Sequence, residues 1–212
     1  MDEMISKLPE KIFVTGTDTG VGKTFVCAAL MTVLNSSCYW KPVQTGSEEG
    51  TDTDWIRSVT GLPKERFLPE AYCFRKPLSP HAASALEGVA IDMCSIVLPQ
   101  VEGRLIVEGA GGVMVPLNDH HLMIDLMKHL GLPVLVVARS TLGTINHTLL
   151  TLLALRNAGL EVCGVIMNGP RNESNRRAIE QFGKTVVLAE ITPLDVVNAG
   201  TLRKSLLDGW LK

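Results

Sequence analysis

A short β-branched and aromatic run, Ile12-Phe13-Val14-Thr15, leads directly into Gly16-Thr17-Asp18-Thr19-Gly20-Val21-Gly22-Lys23-Thr24. A stretch with helical spacing, residues 24–34, follows at once, with Phe25, Ala28, Ala29 and Val33 on one face. Strand, Gly-rich turn and helix in that order form a unit suited to holding phosphate. Glycines let backbone N–H groups turn toward phosphate oxygens, and the helix N-terminus adds its positive end. Lys23 would reach the outer phosphates and Thr24 would offer a hydroxyl to Mg2+. The common form of the motif has four residues between its first Gly and the Gly-Lys-Thr. Here five residues separate Gly16 from Gly22, and Thr17 occupies the usual Gly position.

The remaining chain alternates in the same way. Residues 38–43, 104–108, 132–138, 162–167 and 185–189 read as strands, several of them apolar without interruption. Residues 144–158 read as a long helix closed by Gly159, and residues 173–182 as another. Apolar strands separated by helices imply a mostly parallel central sheet with helices on both faces, an α/β fold. Ligands of such folds bind beyond the C-terminal strand ends. The loops after Thr15, Val43, Glu108, Ala138 and Met167 should therefore surround the site. Residues 46–54 are polar and Gly-containing and read as a loop that orders with ligand.

Composition excludes several classes. A chain of 212 residues, 46% hydrophobic and 20% charged, suits one domain over residues 1–212. A net charge of -2 gives no basic surplus for nucleic acid. The five cysteines, Cys27, Cys38, Cys73, Cys94 and Cys163, include no CxxC pair, so neither zinc nor a disulfide framework is expected. Most of them are read as small buried hydrophobes. Residues 1–10 lack the apolar segment of a signal peptide, and no apolar run is long enough to span a membrane. A cytoplasmic location is expected.

Mg2+ beside phosphates needs one or two carboxylates. Glu108 ends the strand Leu105-Ile106-Val107 where an acid would face the nucleotide. Asp54 and Asp52 compete for a second place in Thr51-Asp52-Thr53-Asp54-Trp55; Thr53-Asp54 would also cap a helix beginning at Trp55. Lys41 closes a strand and would place a second cation near Lys23, over a transferring phosphate. His120-His121 reads as a solvated turn, because adjacent residues do not share a face and no third ligand stands at suitable spacing. Residues 149–155 are an apolar stretch that reads as core or dimer surface.

Taken together, these pieces resemble the dethiobiotin synthetase family. They are Gly16-Thr17-Asp18-Thr19 with Gly22-Lys23-Thr24; Lys41-Pro42-Val43 with Thr45-Gly46; Ser79-Pro80-His81; Val107-Glu108-Gly109-Ala110-Gly111-Gly112 with Pro116-Leu117; Leu142-Gly143 with Ile145-Asn146-His147; and Asn168. They occur in family order over roughly residues 11–194, and the five-residue loop spacing is the family's own. The resemblance implies a P-loop NTPase-like α/β fold and a homodimer with its sites near the interface. It implies an enzyme that joins CO2 to 7,8-diaminononanoate with ATP and Mg2+.

The resemblance also implies residue roles. Lys41 would be the catalytic lysine. Nucleotide would be bound by Thr19, Gly20, Val21, Gly22, Lys23, Thr24 and Phe25, by Asp54 and Glu108, by Gly109, Ala110 and Gly111, by Asn168 and Gly169, and by Thr192, Pro193 and Leu194. Asn168 would read the adenine edge. Thr24, Asp54 and Glu108 would hold the metal. Thr45, Gly111, Gly112 and Asn146 would contact the diamine substrate, Asn146 across the dimer. The chain departs from the family at Gly20, where some members carry Glu, and at Thr192, where proline is common. The rival expectation is a regulatory dimerising ATPase of the partition or division-site type. Those proteins carry an extra lysine early in the loop, where this chain has Thr17-Asp18-Thr19.

Overall fold

Strand β1 (Lys11–Gly16) lies in the middle of a seven-stranded sheet. In this computed structural model, which describes Ile5 and residues 8–211, the sheet order is β4-β2-β6-β1-β7-β8-β9, with every neighbouring pair parallel. The other strands are β2 (Cys38–Trp40), β4 (Phe67–Leu68), β6 (Leu105–Gly112), β7 (Val134–Arg139), β8 (Val162–Asn168) and β9 (Val187–Ile191). The short β3 (Val43–Gln44) and β5 (Tyr72–Cys73) form a separate parallel pair.

Side chains alternate across the pleat, and both faces are apolar. Phe13, Val107, Val134 and Val136 point to one side, where they meet Leu126 of α4 (Met123–Leu130), Leu152 of α5 (Thr144–Asn157) and Ile179 of α6 (Glu173–Gly183). Ile12, Val14, Ile106 and Leu135 point to the other. There they pack on Val26 and Leu30 of α1 (Lys23–Val33), Ile56 of α2 (Asp52–Thr60) and Leu202 and Leu206 of α7 (Ala199–Gly209). Each such buried side chain contributes about 1.5–3 kcal/mol. The sheet's centre is thus rigid where β1 hands over to the phosphate loop.

Several elements differ from the sequence expectation. The single strand over residues 38–43 is broken. Trp40 ends β2, and Pro42 cannot donate to a ladder, so the chain steps out and β3 pairs elsewhere. The Pro42 carbonyl is instead taken by Ala71 and Tyr72 amides. Lys41 is freed from the sheet by that step. Strand β6 runs beyond Glu108 to Gly112, which pairs with Gly16. The last strand sits two residues later than residues 185–189. Helix α2 begins at Asp52, not Trp55, because the Thr51 hydroxyl caps it by accepting the Asp54 amide at 3.0 Å. Helix α7, capped by Asn198 and seated on α1, has no counterpart in the sequence expectation. Helix α4 has no counterpart in the sequence expectation.

The long helix ends as expected, with Gly159 at φ 76° just past the Ala158 cap. Helix α3 (Pro80–Glu87) starts at Pro80, in keeping with the Ser79-Pro80 signal. All five cysteines are free, but only Cys27 is buried; Cys73 and Cys94 are exposed. Among the described residues no helix is long and apolar enough to cross a membrane. Most of residues 1–10, on which the signal-peptide expectation rests, lie outside the described residues.

Candidate active site

The loop of residues 16–24 hangs between β1 and α1, at the C-terminal end of the sheet. Gly20 and Gly22 adopt φ 71° and 94°, left-handed values that bring the loop's amides round. At Gly22 the space is closed as well, because a Cβ would collide with Asn168 Nδ2. Gly22→Ala is therefore expected to lower the melting temperature and to abolish detectable ATP binding in calorimetry. Left-handed backbone costs an alanine about 1–2 kcal/mol before the collision is counted.

The extra loop residue is accounted for locally. Asp18 Oδ1 accepts the Thr19 amide at 2.7 Å, and Asp18 Oδ2 pairs with Arg139 at 2.6 Å. Arg139 was not singled out from the sequence; its place at the end of β7 was the available signal. Lys23 folds back to donate to the Asp18 carbonyl at 3.2 Å. Burial lowers the pKa of Lys23, the Glu108 carboxylate opposes that, and Lys41 adds to it.

A cluster of oxygens lies beside Lys23. Thr24 Oγ1 is 2.9 Å from Asp52 Oδ1 and 2.8 Å from Glu108 Oε1. One hydroxyl proton cannot satisfy two carboxylates, so this set of hard oxygens is suited to a small divalent cation. Lys41 Nζ bridges the two acids, paired with Asp52 Oδ2 and 3.1 Å from Glu108 Oε1. Burial by itself would lower the pKa of Lys41; the Glu108 and Asp52 carboxylates override it and raise it above the ordinary lysine value. Burial would likewise raise Asp52, but the Lys41 ammonium holds its carboxyl below the usual range. Among the described residues, no group of three or more His, Cys, Asp and Glu side chains could hold a metal without other donors. His121 bonds Asn118 in its turn.

The structure puts Asp52, and not Asp54, in this cluster. The two stand at the first and third positions of α2, about 200° apart around its axis. Gln44 Oε1 accepts the Asp52 amide at 3.2 Å and pins the start of the helix to β3. Asp52 thus faces Thr24, while Asp54 turns to Thr51 at 2.9 Å and to Arg57 at 3.1 Å, with its side chain 57% exposed.

The cluster floors a cleft of about 510 Å³. Thr19, Gly20, Gly22, Thr45, Ala110 and Gly111 line it, joined by residues 77–80. At Gly112 an added Cβ would come within 3.3 Å of the Gly16 carbonyl oxygen, and the residue lines a neighbouring cleft with Thr17, Met114 and His147. Gly109 is buried against the Phe13 ring, so it serves packing. Val21 is buried and Phe25 half-buried in the α1 core. Asn168 donates from Nδ2 to the Val21 carbonyl at 3.0 Å, and the Gly169 amide donates to Ile191. Thr192, Pro193 and Leu194 follow β9 at the same sheet end but do not line this cleft. Asn146 is exposed on the first turn of α5, also outside the lining. Near it stand exposed apolar side chains: Leu142, at 99%, and Leu150 and Leu153 further along α5.

The sequence also compares with known proteins. The AAA_26 family, described as an AAA domain, matches residues 10–201. The ATP-dependent dethiobiotin synthetase BioD of Paramagnetospirillum magneticum is 53% identical over 90% of this chain and 92% of its own length. The biotin biosynthesis bifunctional protein BioCD of Bordetella avium is 54% identical over 96% of this chain, which spans only 43% of that longer protein. Among solved structures, the MinC:MinD cell division protein complex of Aquifex aeolicus superposes with a TM-score of 0.55 at 15% identity, covering 93% of this chain and 86% of the other. That likeness is one of fold.

Proposed function

The chain belongs to the AAA_26 family and to the ATP-dependent dethiobiotin synthetases, and on that premise we propose that its cleft closes the ureido ring of dethiobiotin from 7,8-diaminononanoate and CO2 at the expense of ATP. The observation that carries this reading is Lys41, buried and fully charged, between Asp52 and Glu108 and beside the phosphate loop. A nucleotide switch needs no second buried cation there. A reaction that passes a phosphoryl group to a carbamate does.

In this mechanism one amine of the diamine takes up CO2 as a carbamate. A carbamate oxygen attacks the γ-phosphorus, ADP leaves, and a carbamic–phosphoric anhydride forms. The second amine attacks the carbonyl carbon, phosphate departs, and the ring is closed. The protein's work is orientation and charge neutralisation. Lys23 and the loop amides hold the phosphates. Lys41 leaves its carboxylates to meet the carbamate and the γ-phosphate. Thr45 and Gly111 border the diamine, and Asn168 with residues 192–194 stands toward the base. Thr24, Asp52 and Glu108 would hold Mg2+, which supplies Lewis-acid neutralisation of the phosphate oxygens.

The proposed assembly is a homodimer. Leu142, Leu150 and Leu153 supply an exposed apolar surface beside Asn146, which would then reach the partner's cleft. The chain acts as one α/β domain on small molecules, in the cytoplasm.

The test is a coupled assay. Diamine, bicarbonate, Mg2+ and ATP are expected to give phosphate and dethiobiotin in equal amounts, from a species of twice the chain's mass. Phosphate release that ignores the diamine would return the chain to the division-site class of ATPase.

A further inference from the structure

A tyrosine buried under the phosphate loop has no part in the chemistry above. Tyr39 stands on β2 and is 0% exposed. Its neighbour Trp40 points to the opposite face of the sheet, so Tyr39 alone reaches the α1 side. Its ring meets Phe67 edge-on, with centroids 6.3 Å apart. Packing would be served equally by phenylalanine. A hydroxyl sealed from water is unfavourable unless it finds a partner, and this one donates to Glu108 Oε2 at 2.8 Å.

The two oxygens of Glu108 are used differently. Oε1 takes Thr24 and Lys41, and Oε2 takes Tyr39. Thr24 and Lys41, the partners of Oε1, both have other work in the proposed reaction. The Tyr39 bond lies on the far oxygen and leaves that work undisturbed. Strand β2 is tied to β6 by the Tyr39–Ile106 and Trp40–Val107 register, so donor and acceptor are held by adjacent strands.

We propose that Tyr39 is a positioning residue, whose hydroxyl fixes the Glu108 carboxylate so that Oε1 is presented to a divalent cation beside Thr24 and Asp52. The inference rests on the reading that these three residues hold the metal. Outer partners of metal ligands typically change metal affinity by 10–100-fold.

The test measures ADP binding by calorimetry, in EDTA and across a Mg2+ titration. Tyr39→Phe keeps the ring and removes the donor. It is expected to bind ADP in EDTA as the unaltered protein does, and to need about tenfold more Mg2+ for the metal-dependent gain. Phe67→Leu loosens the same ring and keeps the hydroxyl; it is expected to melt earlier with its Mg2+ requirement unchanged. An unchanged Mg2+ requirement in Tyr39→Phe overturns the inference. So does an equal rise in both variants, which would make the effect one of packing. Glu108→Gln separates the two layers. If it retains the full Mg2+ gain, the metal reading itself fails; if it loses the gain while Tyr39→Phe keeps it, only the positioning role fails.

Discussion

Replacing Lys41 with alanine is expected to lower turnover by about 10²–10³-fold while leaving ATP bound. Among the described residues, Lys41 is the cation that pairs with both Asp52 and Glu108. Its loss removes charge neutralisation where a phosphoryl group must pass. It also leaves two acids facing each other, one of them 1% exposed. Breaking a buried pair from one side commonly costs about 3–5 kcal/mol, and the partial exposure of Asp52 puts this case near the lower end. The melting temperature of Lys41→Ala should therefore fall steeply in EDTA and recover in part with Mg2+, since the cation would sit between the same carboxylates. Single-turnover phosphate release and paired melting curves measure the two effects. Full turnover in the variant would remove the lysine from the mechanism.

Asp52→Asn and Asp54→Asn should separate cleanly. The first removes a charge that touches both Thr24 and Lys41. It is expected to cut Mg2+-dependent turnover by about 10²-fold, in the range for loss of one preorganised electrostatic group. The second alters an exposed residue paired with Arg57, and such surface pairs are worth about 0–1 kcal/mol. Asp54→Asn should retain turnover within about twofold of the unaltered chain, by the same measure. The reverse ranking would show that α2 rotates or unwinds when nucleotide binds.

Much of the fold was legible because it is written in short-range pattern. The loop at residues 16–24 is covalently continuous with the strand before it and the helix after it, so its context could be checked by eye. Continuous apolar runs such as Val134-Leu135-Val136-Val137 announced strands covered on both faces. The edges were less legible. Residues 38–43 look like one strand, and only the missing amide of Pro42, acting against a particular neighbour, breaks it. Helix α7 escaped because its partner, α1, is distant in sequence.

For the site, the sequence named candidate residue types but not their orientation. The strand–loop–helix unit, Lys41 at a strand end and Glu108 before a Gly-rich turn already pointed to a phosphate cleft with a second cation and an acid. Residue types at fixed offsets along one chain segment are enough for that. Which aspartate serves the cleft depended on where α2 begins. That was decided by the Thr51 cap and by Gln44 holding the Asp52 amide. The hydroxyl of Tyr39 on Glu108 spans 69 residues, and no local pattern encodes it. A side chain's direction is fixed by whatever fills the space around it, and that space exists only once the sheet has closed.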